Sequence, residues 1–231
     1  MVNLKFLGCG AGYNPALGPN AAYFVRNKTV YLLDCGTSVF ERLTEKGVLK
    51  DAEAVTVFLT HQHADHIGSL GILLDYCWDI LGLKPVLVHP ADGPVKLLAQ
   101  MGVSPEAFFW NAGNIYGPDE NGISVQFLPV DHAPDIPAYG LLIEEAGDRF
   151  YYSGDANDIP ASVLEALLDN RLDTLYQDTA SKESRHHCSL EKLCQRIPPE
   201  WRHKIVCMHL DAAHNPAAIL GAGFKMASAD R

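Results

Sequence analysis

Four side chains that bind metals fall within six residues, in the stretch Thr60-His61-Gln62-His63-Ala64-Asp65-His66. His61 and His63 are two apart, so in an extended segment they face the same side. Asp65 and His66 are adjacent and join that row only if the chain turns. The spacing therefore predicts two binding clusters, His61 with His63 and Asp65 with His66. Imidazoles and a carboxylate packed this closely cannot all be buried without partners. A solvated low-complexity His tract would not stand between apolar segments. Here the upstream segment is Ala54-Val55-Thr56-Val57-Phe58-Leu59, and Ile67 to Leu81 downstream is apolar and of helical length. The cluster reads as the loop where a buried strand hands over to a helix, a common place for ligand sites.

The elements that must position this loop follow from local patterns. Leu4 to Leu7 reads as a first strand. The glycine-rich Gly8-Cys9-Gly10-Ala11-Gly12 after it lacks the Gly-Lys-Ser/Thr of a phosphate loop and reads as a mobile rim loop. Residues 21–26 and 29–33 form a hairpin turning at Asn27-Lys28. Ser38 and Glu41 match a capping box that opens a helix, and Gly47 closes it. Beyond the helix expected to end at Gly82, residues 85–89 read as a short strand, and 91–101 and 104–111 as helices. Residues 113–122, rich in Gly, Asn, Asp and Pro, are the candidate midpoint.

The second half repeats the style. Strands 123–130, 138–144, 149–153, 172–177 and 204–208 alternate with helices 160–168 and 189–196, the latter capped by Ser189. The small-residue tail from Asp211 is expected to be poorly ordered. His61, His132, Asp155, Asp178 and His209 each stand just past a strand end. Alternating strands and helices with such residues at the strand ends predict a layered α/β domain with its site along one sheet edge.

Composition narrows the partners. The chain has 231 residues, 48% of them hydrophobic, enough for a sizeable core. No apolar run reaches the roughly 18–20 residues that span a bilayer, and the N-terminus lacks a signal peptide's apolar region. The cytoplasm is the expected location. Six cysteines without paired spacing read as reduced thiols. Cys207 shares strand parity with His209 and is read chiefly as core packing. The net charge of −10 comes from 28 acidic and 18 basic residues with no basic cluster, which argues against long nucleic acid.

At this point a resemblance carries the reading further. His61-x-His63-x-Asp65-His66 resembles the signature of the metallo-β-lactamase superfamily. Asp34, in Leu-Leu-Asp-Cys-Gly, resembles its first motif, a structural Asp that braces the metal loop. His132, Asp155 and His209 match its third motif, its fourth motif and its last histidine. The resemblance implies a four-layer αββα sandwich of two similar halves, here about residues 1–115 and 116–231 of one domain. It also implies a ligand set: His61, His63 and His132 on one metal, Asp65, His66 and His209 on the other, and Asp155 between them. Such imidazole and carboxylate donors without thiolate suit Zn²⁺ first, with Mn²⁺ and Fe²⁺ close behind. Two divalent ions, two carboxylates and a shared hydroxide give a formal charge of about +1, which favours a singly charged anion.

Several stretches resemble the branch of ribonuclease Z and its smaller cyclic-phosphodiesterase relatives. They are Phe6-Leu7-Gly8-Cys9-Gly10, Asp34-Cys35-Gly36 and the residues after His132. Tyr176-Gln177-Asp178-Thr179-Ala180 and His187-Cys188-Ser189 resemble that branch's acidic motif and following histidine. The resemblance gives Asp178 and His187 a general-acid pair, with the adjacent His186 the competitor for that place. Asp replaces the branch's Glu, and Gln177 replaces its His. The long basic insertion that grips tRNA is missing. His89, His203 and His214 lack matching context and read as structural or surface residues.

The expectation is a dinuclear metal hydrolase of a small or cyclic phosphodiester, with hydroxide attack oriented by Asp65. The alternatives are tRNA 3′ processing, lactone, thioester or β-lactam hydrolysis, and a metal-bound non-catalytic domain. The expected partner is a small anionic ester, without a membrane. The apolar segment 67–81 and an exposed sheet edge are compatible with a homodimer.

Overall fold

The computed structural model describes residues 4–229. Strands that read as unbroken apolar runs are buried on both faces, and alternate side chains go to different cores. In β3 (Thr29–Leu33), Val30 and Leu32 face a helical layer while Tyr31 and Leu33 face a second sheet. β12 (Ile205–Met208) divides in the same way: Ile205 and Cys207 pack under helices, and Val206 and Met208 face the other sheet. Three apolar cores separated by two sheets make the αββα sandwich directly. The burial expected of a strand pinned between two layers is met on both faces.

The first sheet runs in order β1 (Lys5–Gly8), β2 (Ala21–Arg26), β3, β4 (Ala54–Phe58), β5 (Val86–Val88) and β6 (Phe109–Asn111). Its first three strands pair antiparallel, and β3 to β6 pair parallel. The parallel steps are crossed by α1 (Val39–Glu45), by α2 (Ala64–Ile67) with α3 (Leu70–Asp79), and by α4 (Gly93–Gln100). The second sheet comprises β7 (Ile115–Tyr116), β8 (Ser124–Pro129), β9 (Tyr139–Glu145), β10 (Asp148–Tyr152), β11 (Thr174–Asp178), β12 and β13 (Lys225–Met226). It repeats the plan, antiparallel through β10 and parallel from β10 to β13, with α5 (Ala161–Leu168), α6 (Leu190–Arg196) and α7 (Pro216–Gly221) as crossovers.

Local chemistry explains most boundaries. Asn27 and Lys28 both take positive φ, 45° and 64°, the twist a two-residue hairpin needs. The Ser189 hydroxyl accepts from Lys192 N at 3.1 Å and caps α6.

Several expectations are corrected. Ser38 precedes α1, but its side chain makes no cap. The helix expected from Ile67 begins earlier, at Ala64, and breaks at Gly68-Ser69. The break has a cause: Ser69 Oγ reaches the Gly36 carbonyl, and Ser69 N donates to Cys35 O at 3.1 Å. Residues 104–111 are not a helix. Ser104 caps one 3₁₀ turn over Pro105–Ala107, after which Phe109–Asn111 joins the sheet edge beside β5. The tail from Asp211 carries α7 and β13, with β13 paired to β12, while residues 230 and 231 lie outside those described. The glycine-rich rim loop is tied by Gly10 N to Gly18 O at 2.8 Å and Ala11 N to Leu210 O at 3.0 Å.

Candidate metal centre

The metal motif sits where β4 ends. Thr60 N donates to Asp34 Oδ1 at 2.8 Å, and Cys35 N donates to His66 O at 2.7 Å, so the segment after β3 clamps the loop from both sides. Asp34 takes a left-handed φ of 64°, which brings its carboxylate under the loop. Gly36 is required here, because any Cβ would collide with the Asp65 carbonyl. His63 caps a single helical turn that carries Asp65 and His66, turning those two away from the row of His61 and His63.

Across the cleft the second sheet supplies the remaining residues. His132 follows β8, Asp155 follows β10, and His209 follows β12. His209 has a φ of 52°, so it leaves the strand's alternation. That is why Cys207, despite its matching parity, lies in the helix-side core and away from the cluster.

The donor atoms form two quartets that share one side chain. His61, His63, His132 and Asp155 make the first, and Asp65, His66, Asp155 and His209 the second. In the first, His61 Nε2 is 3.0 Å from His63 Nδ1 and 3.9 Å from Asp155 Oδ2, while His132 Nε2 is 3.1 Å from His63 Nδ1. In the second, His66 Nε2 is 3.0 Å from Asp155 Oδ1 and 3.5 Å from Asp65 Oδ2, and His209 Nε2 is 3.4 Å from Asp65 Oδ2. Tetrahedral ligands about 2.0–2.1 Å from an ion stand roughly 3.3–3.4 Å from one another, so both quartets have the right spacing. His66 Nε2 and Asp155 Oδ1 are buried and 3.0 Å apart, yet neither has a hydrogen-bond partner. Two buried atoms this close and not aligned on each other are placed for a third body between them. The residues fit divalent ions.

The other ring nitrogens are held from behind. His66 Nδ1 meets Asp34 Oδ2 at 2.9 Å, and His209 Nδ1 meets Asp178 Oδ1 at 3.3 Å. His61 Nδ1 meets Thr60 Oγ1 at 3.1 Å, and His132 Nδ1 meets the His186 carbonyl at 3.0 Å. Partners of this kind fix ring orientation and tautomer. Sequence reasoning missed Thr60, Tyr152 and Asn20 among them. Tyr152 OH reaches Asp34 Oδ2 at 3.4 Å and accepts from Asn20 Nδ2 at 2.8 Å. The contact from Asn20 to Tyr152 spans 132 residues, and no local signal marks it.

Electrostatics divide the quartets. Burial holds His61 well below the ordinary histidine value, and burial lowers His132 too. In the second quartet burial opposes charge as well, but carboxylates win. Asp155 and Asp34 hold His66 well above the usual value, and Asp155 and Asp178 push His209 up to about 10. Burial would raise Asp155, yet His209 and His66 hold it far below the carboxylate range. In the metal-free protein, protons on His66 and His209 supply the positive charge that a cation would bring.

Asp178 and His187 lie beside the second quartet. His187 Nδ1 and Asp178 Oδ2 are 2.7 Å apart, and Ala156 N donates to the same oxygen at 3.1 Å. Burial opposes protonation of His187, and the Asp178 carboxylate overcomes it and raises its pKa. His186 turns elsewhere, its Nδ1 meeting the His132 carbonyl at 2.6 Å. His89 is buried against the Tyr139 ring, while His203 and His214 bond the carbonyls of Glu200 and Asp211. None of the three joins the cluster. A cavity of about 670 Å³ opens over the donors, with Gly12, Tyr13, Thr37 and Pro134 on its rim. A Cβ on Gly12 would stand 2.7 Å from Asp65 Oδ2, so that glycine keeps the mouth open.

A family model described as "Beta-lactamase superfamily domain" matches residues 29–209. The chain belongs to this superfamily. The Anti-Pycsar protein Apyc1 of Paenibacillus harenae is 27% identical over 222 residues, covering 90% of this chain and 89% of that protein. A protein named Ribonuclease Z from Mycobacterium avium is 28% identical over 192 residues, covering 72% of this chain and 66% of that one. The metallo-beta-lactamase fold protein YhfI from Bacillus subtilis superposes with a TM-score of 0.78 at 15% identity, covering 99% of this chain and 97% of that one. At that identity the likeness is one of fold. Among the described residues no helix is long and apolar enough to cross a membrane.

Proposed function

We propose that the chain is a dinuclear metal-dependent phosphodiesterase acting on a small or cyclic phosphodiester. The observation that carries this reading is the pairing of a two-quartet donor set with the Asp178–His187 dyad at its edge. The dyad supports phosphodiester chemistry over thioester hydrolysis, because an alkoxide leaving group needs a proton donor where a thiolate does not.

His61, His63, His132 and Asp155 would hold one divalent ion, and Asp65, His66, His209 and Asp155 the other, with Zn²⁺ the ion best suited to the donors. Such a pair would acidify a water between the sites and neutralise charge on the phosphoryl oxygens. The remaining work falls to side chains. Asp65, whose side chain is 22% exposed where Asp155 is 3% exposed, faces the cavity and orients the attacking water. Asp178, wholly buried, holds the His187 imidazolium by Nδ1, and among the described residues Nε2 has no hydrogen-bond partner. The water oxygen forms its bond to phosphorus as the opposite P–O bond breaks. The leaving oxygen keeps the electron pair and takes the Nε2 proton of His187.

Relatives named Ribonuclease Z favour RNA as a second reading. The acidic balance of the chain, −10 overall, weighs against a long polyanion. The test is hydrolysis of bis(p-nitrophenyl) phosphate by metal-loaded protein, with Asp155→Ala as control, followed by cyclic nucleotides and a tRNA precursor. Turnover lost in the control supports the reading. Two bound metals without diester turnover, or faster turnover of lactones and thioesters, would refute it.

A further inference from the structure

We infer that a second cavity, beyond His187, receives the leaving arm of the diester, and that it takes a neutral, hydroxyl-bearing group of ribonucleoside size. This rests on the phosphodiesterase reading above. Two cavities meet at one residue: His187 lines both the cavity over the donor cluster and a neighbouring one of about 580 Å³. The donor of the leaving-group proton stands between the phosphoryl group and the arm that departs. With Nδ1 of His187 committed to Asp178, the arm extends past His187 and into the second cavity. Its volume falls in the range of about 300–1,000 Å³ that small-ligand pockets occupy.

The lining specifies the arm. Glu183, Arg185, Glu191 and Lys192 bring two negative and two positive charges, so apart from the His187 imidazolium at its boundary the cavity has no net formal charge. Lys192 is engaged by Asp158 at 3.3 Å and by Asn157. Among the described residues, Glu183, Arg185, Glu191 and Gln195 have no hydrogen-bond or ion-pair partner. Their donors and acceptors stand ready together. A hydroxyl donates and accepts at once, so a sugar can serve both kinds of group. An anionic arm would meet Glu183 and Glu191, and an apolar arm would cover polar groups without bonding them. The wall is fixed, since Asn157 Nδ2 donates to Ser184 O at 3.0 Å and Cys188 N donates to Ala156 O at 3.0 Å.

The consequence is a preference for diesters whose departing alcohol is a nucleoside over those whose departing group is a bare aryl ring. The test compares uridylyl-3′,5′-uridine with bis(p-nitrophenyl) phosphate in the metal-loaded enzyme and in Arg185→Ala and Glu183→Gln. The expected result is a fall of about tenfold in the ratio of kcat/KM for the dinucleoside to that for the aryl diester, equivalent to ~1.4 kcal/mol. Uridine binding, read by ligand-observed NMR, should weaken in both variants and vanish in Gln195→Trp, which fills the cavity from α6. An unchanged ratio, no uridine binding to the wild-type enzyme, or turnover of the aryl diester without the dinucleoside would overturn the leaving-arm assignment alone. Failure of both diesters would remove the phosphodiesterase reading beneath it.

Discussion

Two buried carboxylates, one in each half, hold the histidines of this site, and the halves use them differently. Asp34, after β3, is saturated by Thr60 N, Thr60 Oγ1, His66 Nδ1 and Tyr152 OH, all from the interior. Asp178, at the end of β11, meets His209 Nδ1 and Ala156 N in the same manner. Its second oxygen also holds His187, whose side chain is 29% exposed and lies outside both quartets. One carboxylate is purely a brace. The other braces a ligand with one oxygen and presents a proton donor with the other. A buried carboxylate in one half serves architecture, and one in the other half serves chemistry as well.

Five experiments probe that contrast. Asp34→Ala should have the largest effect on stability, because it leaves buried Thr60 and His66 groups without an acceptor. A loss of about 3–5 kcal/mol is expected, read by denaturant melts of the metal-free protein. Asp178→Ala should cost less stability and about 10–100-fold in kcat. If its melting falls as far as that of Asp34→Ala with kcat preserved, the contrast is void. His187→Ala should lower kcat about 10²–10⁴-fold on alkyl diesters, and far less on aryl diesters with good leaving groups. Its metal content, measured by elemental analysis, should match the wild type. A drop in bound metal would make His187 a ligand.

The fourth test concerns protons. The pKa values of His66 and His209 are raised above their unfolded value of 6.5, so both are charged at pH 7 in the metal-free protein. Their stabilisation of that form is full below 6.5 and is lost as pH rises through about 10 for His209. A metal needs them neutral, so uptake at pH 7 should release about two protons, and affinity should climb with pH. Calorimetry in buffers of different ionisation enthalpy measures the release, and an absence of release would contradict the charge pattern. Tyr152→Phe should be the mildest change, about 1–3 kcal/mol, from the hydrogen bond that Asn20 loses in the interior.

Most of the cluster could be read locally, because metal ligands need particular residue types and the spacing of His61 to His66 survives in any fold. The layered α/β class was legible from the alternation of strands and helices, while the four-layer sandwich came from the resemblance of the motifs to a known family. What escaped was set at long range. Phe109–Asn111 looks helical until β5 offers an edge, and Ser69 reads as a helical residue until Gly36 and Cys35 take its bonds. The left-handed turn at His209 leaves no trace in the sequence; Cys207 packs in the core, as read, although it shares that residue's parity. His186 and His187, indistinguishable as a dipeptide, are separated by what each ring nitrogen meets.

The division of donors between sheets has a consequence for synthesis. His61, His63, Asp65 and His66 come from the first half, while His132, Asp155 and His209 come from the second. A nascent chain stopped before residue 155 lacks the carboxylate common to both quartets, and one stopped before residue 209 lacks the closing imidazole of the second. Neither quartet is complete within one half. A centre built on these donors would therefore load only once the second half of the chain has been made, and its second quartet would close last.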